Sequence, residues 1–166
     1  KGYVVGVDLV GAAFTNGDAF LPELVMAGEA MKAAVAVLEP ELKRRGSERI
    51  TLGKVVLATV EVDIHEIGKS LVGTMLSAAG FEVFDLGVNV PGAKILEKAR
   101  EVEADIVGLS ALLTTTMVRQ KEVIALISES GLRPKLKVMV GGAPVTREWV
   151  AQIGADAYSE DAIGAV

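Results

Sequence analysis

The chain has 166 residues, 51% of them hydrophobic, and its 22 acidic and 17 basic side chains give a net charge of −5. This composition suffices for one ordinary domain with a core, and the acidic balance argues against nucleic acid as a partner. The absence of cysteine excludes disulfides and thiolate-held metal clusters. No apolar run has the length of a membrane span, so we expect a cytoplasmic protein without a membrane partner.

Residues 1–45 have the periodicity of two helices joined by a turn at 16–18. Pro22 suits a first helical turn, and Pro40 is expected to end the second helix. Two helices bury little surface by themselves, so this hairpin is expected to pack on the following domain, on further helices or on a ligand. Residues 46–53 are predicted to form a linker.

From residue 54 onward, strand and helix patterns alternate. The unbroken run of aliphatic residues at 54–60 is typical of a strand that is buried on both faces. The remaining elements are strands at 81–86, 105–110, 136–141 and 155–158, and helices at 66–79, 92–103, 116–130 and 145–152. This series predicts an α/β domain over 54–166, with a flavodoxin-like (Rossmann-like) five-stranded parallel sheet and helices on both faces, preceded by a partial helix bundle.

The loop after the first strand carries Asp63 and His65, the only histidine of the chain. A lone histidine is more often a surface or core residue than a ligand, but ligands of open α/β folds bind at this edge of the sheet. Asp63 could hold one ring nitrogen of His65 and leave the other for a metal, although it could also be a helix N-cap. One histidine and one aspartate are too few for a closed zinc site, whereas a metal in a macrocycle needs one axial side chain.

Other loops at the same edge are predicted at 87–91, 110–116 and 141–144. Their hydroxyl groups and glycines could line a ligand site or could simply end strands and cap helices. Two familiar classes are not supported. The sequence at 68–70 resembles the end of a phosphate-binding loop that lacks its first glycine, and the third strand ends in Ser110, where a phospho-receiver domain needs an acidic residue.

Three motifs, taken together, resemble a known family. They are Asp63-x-His65-x-x-Gly68, Ser110-x-Leu112 and Gly141-Gly142. With forty-one and twenty-eight residues between them, they are similar to the cobalamin-binding signature of corrinoid-dependent methyltransferases and methionine synthase. Residues 9–42 are similar to the last two helices of the family's four-helix cap, so the first two cap helices are expected to be missing. The family usually has glycine at the position of Val62.

The resemblance implies cobalamin, or a related corrinoid, whose cobalt is bound from below by His65. Asp63 and Thr116 would form a relay behind this histidine, and Phe14 and Leu21 would cover the upper face of the cofactor. The other cofactor-binding residues that it implies are Ile64, Glu66, Ile67, Gly68, Ser110, Leu112, Thr114, Gly141, Gly142 and Ala162.

The function implied by the resemblance is that of a methyl carrier. One partner methyltransferase would transfer a methyl group from a methylamine, methanol or a methoxylated compound to the corrinoid. A second would pass it to tetrahydrofolate or a thiol, and a reductive activase is a further expected partner. No independent site for substrate cleavage is expected. The alternatives are the cobalamin-binding domain of an adenosylcobalamin mutase and that of a cobalamin-sensing regulator.

Overall fold

The structure is a computed structural model that describes residues 2–44, 51–162 and 164–166. Its elements, in chain order, are α1 (Gly2–Asn16), α2 (Leu21–Arg44), β1 (Lys54–Thr59), α3 (Ile67–Ala79), β2 (Glu82–Asp85), α4 (Gly92–Glu101), β3 (Ile106–Ser110), α5 (Thr114–Glu129), β4 (Lys137–Gly141), α6 (Arg147–Ile153) and β5 (Ala157–Tyr158). The predicted alternation of strands and helices is confirmed.

The five strands form one parallel sheet in the order β2-β1-β3-β4-β5. This is the flavodoxin-like order that the sequence predicts. The order reverses at β1, so the ligand-binding switch point of such a sheet lies between the carboxyl ends of β1 and β3. The register pairs Thr59 with Ser110 and Ser110 with Gly141, which brings the three sequence motifs to one edge.

The two faces of the sheet are covered unequally. Helices α4, α5 and α6 supply Ile95, Ile127 and Ile153 to a large buried cluster on one face. The other face is covered by α3, and its buried cluster consists of Val55, Leu57 and Leu76. As a result, part of this second face, beneath the carboxyl ends of β1, β3 and β4, is left for a cavity.

Helices α1 and α2 pack against each other, and both contact α3. The approach of α2 to α3 is close, because a Cβ at Gly28 would lie 1.8 Å from Thr74 Cγ2. The prediction that Pro40 ends the second helix is wrong, since α2 continues to Arg44. A proline inside a helix loses one amide donor and crowds the carbonyl one turn earlier, but the surrounding sequence, LEPELKR, is rich in strong helix formers that favour continuation.

The predicted linker lies partly beyond the described residues. Positions 46–50 fall outside them, and 51–53 lead directly into β1. Among the helices that are described, none is both long and apolar enough to span a membrane.

Candidate functional site

Asp63 is a buried carboxylate at the centre of the candidate site, with no solvent exposure. Its Oδ1 accepts hydrogen bonds from the ring Nδ1 of His65 at 2.7 Å and from the His65 amide at 3.1 Å. Its Oδ2 accepts from the Leu112 amide at 2.8 Å and from the Thr116 hydroxyl at 2.6 Å. Asp63 is therefore not a helix N-cap, a position that Glu66 occupies in α3; it ties the β1 loop to the loop after β3.

These contacts determine the protonation of the site. Burial raises the pKa of Asp63, but the hydrogen bonds from Thr116, Leu112 and His65 outweigh it and hold the pKa well below its ordinary value of 3.8. An ionised carboxylate only accepts hydrogen bonds, so the proton between the two side chains belongs to Nδ1 of His65. In the neutral imidazole, Nε2 then keeps its lone pair, and no described residue forms a hydrogen bond with it.

Thr116 reaches Asp63 because α5 begins two residues earlier than predicted, at Thr114. The sequence places 110–116 in a loop, whereas Thr116 lies in the first helical turn. Its hydroxyl also accepts a hydrogen bond from the Leu113 amide at 3.3 Å, which satisfies a donor at the start of the helix. Thr114 is exposed at the first position of α5, and it forms no hydrogen bond with the relay of Asp63, His65 and Thr116 and does not line the cavity described below.

A cavity of about 750 Å³ extends from His65 between α3 and the uncovered part of the sheet. Ten of the predicted site residues line it, and they are Ile64, His65, Glu66, Ile67, Gly68, Ser110, Leu112, Gly141, Gly142 and Ala162. Asp63 and Thr116 lie behind His65. Phe14 is half-buried on α1 and does not line this cavity, and the side chain of Leu21 lies outside the described part of the structure.

Two glycines of the site differ in what they require. A Cβ at Gly142 would lie 1.7 Å from the Ala111 carbonyl oxygen, and φ is +130° at this residue, so the close approach of two loops demands glycine. At Gly68, a Cβ would meet no atom within 4 Å. Packing within the protein therefore does not require glycine at position 68. The missing side chain leaves open space beside His65 for a ligand.

Part of the cavity wall was not predicted from the sequence. This part includes Leu57, Leu71, Val72, Gly108, Met139, Ser159, Asp161 and Ala165. The strand residues among them have the same apolar character as the core, so the pattern does not distinguish lining from packing. Gly108, in the middle of an apolar strand, was the available signal, because glycine inside a strand often marks a close approach.

The donor set fits a metal that brings ligands of its own. Within the described residues, no group of three or more histidine, cysteine, aspartate or glutamate side chains could hold an ion. One imidazole nitrogen is available at the mouth of a large cavity, flanked by Ile64 and Ile67, which are 74% and 80% exposed. Exposed apolar side chains around one donor suit the underside of a flat macrocycle.

Comparison with known proteins agrees with this geometry. The B12 binding domain family matches residues 53–166, and a second family, also described as a B12 binding domain, matches residues 1–39. Dimethylamine corrinoid protein 2 of Methanosarcina acetivorans is 52% identical over 166 residues, which cover 100% of this chain and 76% of that protein. Trimethylamine corrinoid protein 2 of the same organism is 50% identical, over 99% of this chain and 76% of that protein.

A solved structure gives the same result. The crystal structure of the methanol:cobalamin methyltransferase complex MtaBC from Methanosarcina barkeri contains a chain with 32% identity and a TM-score of 0.89. The match covers 98% of this chain and 61% of that one. The chain therefore belongs to the corrinoid proteins that carry a B12-binding domain.

Proposed function

We propose that the chain is a methyl carrier that binds cobalamin or a related corrinoid and serves two methyltransferases in turn. The observation that carries this proposal is the position of His65. Its Nδ1 is held by Asp63, and the residue stands at the mouth of a cavity of about 750 Å³. When bound, the corrinoid supplies a cobalt centre that can accept and release a methyl group.

His65 would hold the cobalt from below through Nε2. The exposed side chains of Ile64 and Ile67, with Leu112, would lie beneath the macrocycle and lose their contact with water. The open space at Gly68 would admit the tail of the cofactor past the start of α3. The cavity between α3 and the sheet would take the rest of the tail, and Ala162, from the C-terminal segment, would line it.

The relay behind His65 fixes the orientation of the imidazole ring. Thr116 and the Leu112 amide hold Oδ2 of Asp63, so its Oδ1 stays aligned with Nδ1 of the imidazole. The imidazole therefore presents Nε2, and not Nδ1, to a cofactor at the mouth of the cavity.

The remaining parts of the proposal concern the hairpin and the partners. Residues 1–45 would cover the upper face of the cofactor, with Phe14 and Leu21 closest to it. The methyl donor would be a methylamine or, as a second choice, methanol, because these compounds occur in the names of the similar proteins. A substrate methyltransferase would transfer the methyl group from the donor to the corrinoid, and a second methyltransferase would deliver it to tetrahydrofolate or a thiol. A reductive activase would return an oxidised corrinoid to its reduced form.

The experiment is methyl transfer from isotopically labelled donors. The protein is loaded with hydroxocobalamin, reduced, and incubated with labelled dimethylamine, trimethylamine or methanol and the matching methyltransferase from a relative's system. The proposal expects the label on the corrinoid with one of the amines and its loss when an acceptor methyltransferase is added. Absence of label with every donor, or copurification of the protein with an adenosyl corrinoid, would contradict a carrier role.

A further inference from the structure

We propose that Asn89 is a positioning residue that holds Val62 in a left-handed backbone conformation and thereby aligns Asp63 with His65. The contribution to cofactor binding rests on the proposed function of His65, whereas the alignment itself is a property of the protein without its cofactor. Asn89 lies in the loop between β2 and α4, twenty-six residues after Asp63 in the chain. Its role is therefore not visible in the motif that contains the histidine.

The backbone at Val62 is strained. The Asp63 amide donates to the Val60 carbonyl at 3.1 Å, which closes a four-residue turn with Val62 at its third position. The φ angle of Val62 is +69°. A turn with positive φ at this position normally has glycine or asparagine there, and a β-branched side chain is the least suited to it.

Asn89 makes the contacts that maintain this conformation. Its side-chain Oδ1 accepts a hydrogen bond from the Val62 amide at 2.8 Å, and its own amide donates to the Asp63 carbonyl at 2.8 Å. Asn89 itself has φ of +53°, which asparagine tolerates better than most residues. Asn89 therefore holds both ends of the segment formed by Val62 and Asp63, and so fixes the backbone that carries the Asp63 carboxylate.

The loop that carries Asn89 is a firm support. The Thr59 amide donates to the Gly87 carbonyl at 3.0 Å, and the Val90 amide donates to the Thr59 carbonyl at 3.0 Å. The Asp85 carboxylate accepts a hydrogen bond from the Gly87 amide at 2.8 Å. The two contacts with Thr59 attach the loop to β1 on both sides of Asn89. The sheet therefore fixes the position of Asn89, and Asn89 in turn keeps Val62 at positive φ.

Without Asn89, Val62 is free to leave the left-handed region, and the turn that directs Asp63 changes. The carboxylate then loses its alignment with Nδ1 of His65, although all members of the relay are still present. Glycine at position 62 removes this dependence, because glycine adopts positive φ without steric cost. Asn89 and Val62 are therefore expected to be coupled, with the effect of one substitution depending on the other.

The test uses the cofactor-free protein and four variants: Val62→Gly, Asn89→Ala, Asn89→Asp and the double variant Val62→Gly/Asn89→Ala. Val62→Gly should raise the melting temperature by about 2–4 °C, because relief of strain exceeds the extra entropy of glycine. Val88→Gly is the matched control, because Val88 lies next to Asn89 and does not have positive φ; this substitution should lower the melting temperature. Asn89→Ala should lower the melting temperature more in the parent than in the Val62→Gly background.

The second readout follows the alignment itself. Since the chain has one histidine, the Nδ1 proton of His65 gives one assignable low-field proton resonance in the folded protein. This resonance should disappear in Asn89→Ala, return in the double variant and persist in Asn89→Asp, which keeps the acceptor. Purely additive melting temperatures, or a resonance that survives Asn89→Ala unchanged, would overturn the proposal. Because neither readout requires a corrinoid, failure of the proposed function would be recognised separately.

Discussion

Thr116→Val removes the hydroxyl group of the relay and preserves the shape of the side chain. Thr116 is buried, and its hydroxyl donates to Asp63 Oδ2 at 2.6 Å. A hydrogen bond to a charged group contributes about 1.5–3 kcal/mol, and Asp63 keeps its other three donors in the variant. We therefore expect the free energy of unfolding to fall by about 2 kcal/mol at neutral pH.

The pH dependence of this loss has a defined sign. The pKa of Asp63 is held below its ordinary value of 3.8, partly by Thr116. A carboxylate with a depressed folded pKa adds stability that is fully present above the unfolded pKa and is lost as the pH falls through the folded one. Thr116→Val raises the folded pKa. The deficit of the variant should therefore be constant near neutral pH and should narrow only as the pH falls through the folded pKa of Asp63 in the variant and then through that of the parent, which lies well below 3.8.

Urea denaturation of the cofactor-free protein, followed by the fluorescence of its single tryptophan, measures this difference. Thr115→Val is the matched control, because Thr115 is exposed in the same helical turn and its substitution should change stability by less than about 0.5 kcal/mol. Thr116→Ser should regain most of the loss. A Thr116→Val variant as stable as the parent at neutral pH, or one whose deficit does not narrow as the acid limit of folding is approached, would refute the relay.

Four further substitutions, at three places, test the surroundings of the site. Gly142→Ala places a Cβ 1.7 Å from the Ala111 carbonyl oxygen, so it should cost about 3 kcal/mol and weaken corrinoid binding, as measured by melting and titration. Gln120→Leu leaves two strand carbonyls and the tryptophan indole without their partner, so stability should fall by about 2–4 kcal/mol with a red shift in emission; an unshifted spectrum would contradict this. The buried Lys69 pairs with the partly exposed Asp85, so Asp85→Ala should destabilise by about 3 kcal/mol because it leaves a buried charge unpaired, whereas Lys69→Met should be nearly neutral; equal effects in denaturation would contradict this reasoning.

The architecture could be predicted because its signals are local. The aliphatic run of β1 and the helical spacing of α3 each lie within one stretch of sequence, and alternation of such elements implies a parallel sheet. The end of α2 could not be predicted from Pro40, because the effect of one proline depends on the propensities around it. The start of α5 depends on a hydroxyl contact of Thr116 that the pattern does not contain.

The site could be predicted only in part, because its geometry depends on contacts between distant segments. From the sequence, Asp63 is compatible with a helix cap or with a partner for His65. Which of these two roles Asp63 has depends on the pairing of Thr59 with Ser110, because this register brings the Thr116 hydroxyl to 2.6 Å from the carboxylate. The strain at Val62 depends likewise on a loop that follows another strand.

Electron paramagnetic resonance of the cobalt(II) form of the corrinoid-loaded protein tests most directly whether His65 is the lower ligand of the metal. The chain has one histidine, so isotopic labelling of histidine nitrogen marks that side chain alone. We predict that the nitrogen splitting of the cobalt signal changes with the label, and that in His65→Ala this dependence on the label disappears because water or the cofactor's own base replaces the histidine. A splitting that is unaffected by the label, and is therefore due to the cofactor's own base, would contradict the assignment.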